Sequence, residues 1–201
     1  MSARHTTHQT PGDQQLVEAW AARLAAEVLP HEAVDAPGVA VRFAAGGSQR
    51  AGLTGRASSG TGASGVDAVL DMVALLQALE AAGPHLRAFL ESAVLANTVA
   101  VASLVTSVAA YLQDRRSKPA EQFRPPLGAD PELAAHALAG AERMEQELVR
   151  RDTPPEIATA RVEVTVRILA SSPEEAARFL AAIAAAEQGS RRTRWFRRDR
   201  R

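Results

Sequence analysis

Basic and aromatic side chains are densest at one end of the chain. Residues 191–201 read Arg191-Arg192-Thr193-Arg194-Trp195-Phe196-Arg197-Arg198-Asp199-Arg200-Arg201, seven arginines against one acid. Clustered guanidinium groups bind phosphates, and an interleaved Trp-Phe pair offers ring faces on which bases stack. The same set suits an anionic membrane surface, where the rings insert and each Arg adds about 1 kcal/mol. A solvated, disordered tail over 190–201 with no ligand is the third reading. The candidate contact residues are Arg191, Arg192, Arg194, Trp195, Phe196, Arg197, Arg198, Arg200 and Arg201. The residue types leave nucleic acid, lipid and solvent all open, and of the two ligands the uncharged stretch at 92–113 tilts the choice towards lipid.

Other chemistry is thinner. Gly60-Thr61-Gly62-Ala63-Ser64-Gly65 matches G-x-G-x-x-G ahead of a helix. A dinucleotide fingerprint needs a hydrophobic strand just before it, and Gly52 to Ser59 is polar and Gly-rich, so a flexible loop accounts for the same residues. The histidines are His5, His8, His31, His85 and His136. His31 and Asp35 are four apart, but Pro30 and Pro37 flank them and helical spacing is not assured. No H-E-x-x-H motif appears, and each histidine reads as solvated surface. Glu142, Glu145, Glu147, Glu174 and Glu175 read as solvated helix faces and helix-dipole partners. There is no G-x-S-x-G elbow, no P-loop and no cysteine. No nucleophile, base, metal ligand or cofactor is assigned.

Composition narrows the class. Charges balance to zero over 201 residues, yet residues 191–201 carry +6 and the rest of the chain −6. Lys118 is the only lysine and Asn97 the only asparagine, the skew of a high-GC bacterial genome. Aromatics are 4%, so the apolar side chains are chiefly Ala, Val and Leu, which tilts the fold towards helix. Residues 1–12 are polar, with no signal-peptide h-region, and read as a disordered leader. The expected location is cytoplasmic, associated with the inner face of the membrane.

These residues must be held by elements that the pattern outlines. Asp13 is placed as the cap of a helix to about Val28, with Leu16, Trp20, Leu24 and Val28 on one stripe. Gly38 to Ala44 alternates and predicts a short strand. Gly46-Gly47 is a turn, and Arg50 to Thr54 a returning strand. Residues 55–65 form a loop. A helix over Val66 to Ala82 breaks at Gly83-Pro84 and is followed by a long apolar helix over about 84–116. Residues 117–130 form a Pro-rich linker. Asp130-Pro131 opens a helix to about Arg151. Ala160 to Leu169, with Val162, Val164, Val166 and Ile168 on one face, predicts the best strand. Ser172-Pro173-Glu174-Glu175 opens a last helix to about Glu187. The expectation is an α+β fold, predominantly helical, in which a small sheet of two or more short strands packs with helices. The regions are 1–12, 13–116, 117–130, 131–189 and 190–201.

Ser92 to Gln113 holds no charge over 22 residues, near the length of a membrane span, and Asp114-Arg115-Arg116 and Lys118 would mark its cytoplasmic side. A buried core helix is the alternative.

Val101 to Lys118 closes on Tyr111-Leu112 and Arg115-Arg116. In this it resembles the hydrophobic helix of actinobacterial effector-associated constant component proteins, over less than a third of the chain. The strand of that family after the Arg pair is replaced by the Pro-rich linker. The resemblance implies a non-catalytic adapter with a protein partner and carries no catalytic residue. The expected function is therefore a non-enzymatic adapter near a membrane. The alternatives are a nucleic-acid accessory protein acting through the tail, a single-span membrane protein and a small enzyme with a hidden site.

Overall fold

The computed structural model describes residues 10–56, 70–94, 98–114 and 123–198, with side chains undescribed at 54–56, 98 and 186–198. Among the described residues the protein is entirely helical, with no strand. The expected α+β fold with a small sheet is therefore corrected to all-α. The chain divides into two compact units, Met1–Leu76 with Ala181–Arg201, and Gln77–Leu180.

The first unit opens with α1 (Pro11–Val28). Its cap is Thr10, one turn before the expected Asp13. Thr10 Oγ1 accepts from Asp13 N at 3.2 Å, and Asp13 Oδ2 accepts from Thr10 N at 3.3 Å, a capping box that satisfies two amides at once. The buried stripe is Val17, Trp20, Ala21, Leu24 and Ala25. A 3-10 turn (Pro30–Glu32) leads to α2 (Ala36–Ala45), which packs on α1. The predicted strand 38–44 lies inside α2. Val39, Val41 and Phe43 do alternate, but a helix buries Val39, Ala40, Phe43 and Ala44 together, four positions where a strand face would bury three. Gly46 and Gly47 do form the turn, with φ of 69° and 55°, the left-handed region that glycine enters without a Cβ penalty. α3 (Gly47–Arg56) follows where a returning strand is predicted.

The second unit takes in most of α4 (Leu70–Ala93), then α5 (Thr98–Asp114), α6 (Pro131–Val149), α7 (Pro155–Ala170) and the start of α8 (Pro173–Arg198). α5, α6 and α7 pack pairwise. The expected break at Gly83-Pro84 is not a boundary, because Pro84 sits inside α4. It can give no N–H to the carbonyl four residues before it, a loss that burial of Ala82, Leu86, Phe89 and Leu90 on both sides offsets. Gly140 lets α6 approach α4, since a Cβ there would lie 2.7 Å from Leu86 Cδ2.

The predicted long apolar helix 84–116 is replaced by the end of α4 and by α5. α5 is amphipathic: Val101, Leu104, Val105, Val108 and Leu112 are buried, while Ala102, Ser103, Thr106 and Ala110 face out. Its 17 residues rise about 26 Å. Among the described residues, no helix is long and apolar enough to cross a membrane. The predicted strand 160–169 is α7. Ala158, Val162, Val166 and Leu169 recur at helical spacing and are buried, Val164 turns half out, and Glu163 and Arg167 pair along the helix at 3.7 Å.

Helix ends in this unit follow local chemistry. Asp130 Oδ1 accepts from Glu132 N at 2.8 Å and Leu133 N at 3.5 Å, with Pro131 at the first helical position, as the sequence predicts. α6 closes with Asp152 at φ 63°. Thr153 N donates to Leu148 O at 3.2 Å and Asp152 N to Val149 O at 3.1 Å, a Schellman closure in which aspartate stands where glycine is preferred. α8 begins at Pro173 as predicted and runs past Glu187 to Arg198.

Candidate functional site

The only group of three metal-ligand side chains within reach of one another among the described residues lies in the first unit. Its residues are His31 and Glu32 on the 3-10 turn and Asp71 in the first turn of α4. Pro30 starts the turn and sets its φ, which fixes where His31 and Glu32 point. Glu32 is 1% exposed. Its carboxylate accepts from Asp71 N at 3.1 Å through Oε1 and from Met72 N at 2.8 Å through Oε2. It thereby caps α4 from 39 residues away in sequence and places an anion at the positive end of the helix dipole.

His31 Nε2 lies 3.5 Å from Asp71 Oδ2 and 3.8 Å from Glu32 Oε1, with His31 side chain 57% exposed. One ligand atom from each of the three residues falls within 4.8 Å of the other two. Burial pushes the Glu32 carboxyl above its ordinary value; the Met72 and Asp71 amides pull it down, the Asp71 charge pushes it up, and His31 pulls it down. Two carboxylates and an imidazole thus converge at a solvent-facing helix start. The sequence reads His31 as solvated surface, and the structure brings it to Asp71. No spacing rule links positions 31, 32 and 71; the legible signal was only the His-Glu pair after Pro30.

In the second unit, two of the carboxylates read as solvated are buried. Thr159 Oγ1 donates to Glu145 Oε1 at 2.5 Å. Glu147 is 6% exposed and receives Arg150 Nη2 at 2.6 Å and Arg151 Nη2 at 2.5 Å. Burial works to raise its carboxyl, but hydrogen bonds from Arg150 and Arg151 outweigh that and hold it below the ordinary value. His85 and His136 face each other from α4 and α6, ring centroids 6.4 Å apart. The Thr159–Glu145 bond joins α7 to α6 and the histidine pair spans α4 and α6, while the Glu147 ion pairs stay local to the end of α6.

Of the predicted contact residues, Arg191, Arg192, Arg194, Trp195, Phe196, Arg197 and Arg198 lie on the backbone of α8, which remains helical to Arg198. Their side chains, with Arg200 and Arg201, lie outside the described residues, as do His5, His8 and the 60–65 glycine run. No family model, curated protein or solved structure matches the chain.

Proposed function

We propose that the protein is a non-enzymatic adapter that docks on nucleic acid through the basic end of α8. The supporting observation is the helical backbone to Arg198. At 100° per residue, Arg191, Arg194 and Arg198 fall along one side and Arg192 and Arg197 on others. Trp195 and Phe196 stand about 100° apart, so the aromatic positions form no common face. An interfacial membrane helix needs a contiguous apolar face, which this register does not supply. Arginines around the helix with aromatics between them suit phosphates and stacked bases instead. The likeness of Val101–Lys118 to effector-associated adapters supports a non-catalytic role with a protein partner.

The test is fluorescence anisotropy with short single- and double-stranded DNA and RNA, using the full chain and a chain ending at Ser190. Ile183 is the last described buried residue of α8, so the truncation spares its packed part. Binding that weakens steeply with salt and disappears on truncation is expected, each neutralised phosphate adding about −0.7 to −0.9 to the log-log salt slope. Binding that survives truncation, none at low salt, or binding only to anionic vesicles would overturn the proposal.

A further inference from the structure

We propose that His31, Glu32 and Asp71 form a binding site for one divalent transition-metal cation of the zinc class. The site is separate from the basic end of α8 and does not rest on it. Tetrahedral zinc, with bonds of about 2.0–2.2 Å, sets neighbouring ligand atoms about 3.3–3.6 Å apart. His31 Nε2 stands 3.5 Å from Asp71 Oδ2 and 3.8 Å from Glu32 Oε1, close to those edges. The two ligands that must shift to close on an ion are the more exposed ones, with the His31 and Asp71 side chains 57% and 37% exposed. The fixed ligand is the buried one.

Glu32 supplies an independent reason for a ligand here. An ionised carboxylate has about four acceptor sites. Among the described residues, each Glu32 oxygen accepts a single amide N–H. The rest of its capacity is buried beside a second carboxylate, where water reaches it poorly and a cation would complete it. The Asp71 and Met72 amides in the first turn of α4 are already met by Glu32, so a cation approaching them meets carboxylate oxygen instead of bare N–H groups. Two carboxylates match a divalent charge. The imidazole nitrogen selects a transition metal over magnesium or calcium, which favour all-oxygen sites. The exposed side of His31 leaves a coordination position open to solvent.

The experiment is calorimetric titration of Zn2+ into the full chain at about pH 7.5, with Co2+ as a visible-absorption reporter of the ligand field. The expected result is one equivalent bound, weakened at least about tenfold in His31→Ala and in Asp71→Asn, since even hydrogen-bond partners of metal ligands cost that much. Binding should also weaken as pH falls, because protons compete with the metal for its ligands. A double variant, His5→Ala with His8→Ala, and a His136→Ala variant should bind as the parent does. Helical circular dichroism in each variant separates loss of the site from loss of fold. No binding, binding unchanged in His31→Ala, or binding abolished in the His5/His8 variant would overturn the proposal.

Discussion

Glu32 and Glu147 are both glutamates with almost no solvent exposure, one in each compact unit, and they are held in opposite ways. Glu32 is held by two backbone amides that arrive from 39 and 40 residues away. Glu147 is held by two guanidinium groups from within the next turn. Amide dipoles steady a buried anion less than full positive charges do, so burial wins at Glu32 and the arginines win at Glu147. The difference teaches that burial alone does not set the behaviour of a carboxylate. The partner does, and so does whether that partner is local.

Removing the long-range partner should have the largest effect. Glu32→Ala strands one buried and one part-buried amide at the start of α4 and leaves a void, and should cost about 3 kcal/mol in urea unfolding. A loss below about 1 kcal/mol would mean that α4 starts without the cap.

The pH dependence of the two glutamates should then have opposite signs. Glu32 has a raised folded value, so its stability contribution is complete below about 4.5 and is lost as pH rises from there through the raised folded value. Glu147 has a lowered folded value, so its contribution is present above about 4.5 and is lost as pH falls from there through the lowered folded value. Unfolding series from about pH 3 to pH 8 on Glu32→Gln and Glu147→Gln should each remove one of these slopes. Slopes of the same sign would sink the comparison.

Local devices should matter less. Asp130→Ala removes an exposed cap at the start of α6 and should cost about 1 kcal/mol, a third of the Glu32 effect. Smallest, and of opposite sign, Asp152→Gly should gain about 0.5–1 kcal/mol, because glycine meets φ 63° without the strain of a Cβ. Thermal unfolding of the two variants checks both.

The same division between local and distant partners decides what the sequence discloses. Asp130-Pro131, Gly46-Gly47 and Pro173 announce themselves because cap and turn chemistry acts over three or four residues. The capping of α4 by Glu32 leaves no trace, since nothing near position 71 records the approach of residue 32. The strands fail for a different reason. Val162, Val164, Val166 and Ile168 satisfy a period of two, and Ala158, Val162, Val166 and Leu169 satisfy a period near 3.6 in the same stretch. Packing against α5 and α6 chooses the second. α5 shows the converse, because an uncharged stretch looks uniformly apolar until its alanines, serines and threonines are sorted onto an outer face. Of the candidate metal ligands, His31 was visible as a histidine and Asp71 as one acid among many, and only the tertiary fold makes them neighbours.

α7 carries a further liability. Its residues 160–169 are β-branched at alternate positions and carry a net charge of only +1, Arg161 and Arg167 against Glu163, which is how segments that stack into cross-β ribbons are written. Helical packing keeps that preference silent by burying Val162, Val166 and Ile168 against neighbours. Once heat strips α7 of its neighbours, the packing that favours the helix is gone and the segment is open to pairing with identical segments of other chains. The native bundle is thus the guard against its own aggregation. Heating at high protein concentration should end in precipitate with β-type infrared bands, and Val164→Pro, which also breaks α7, should form less of it than the parent when both start fully unfolded.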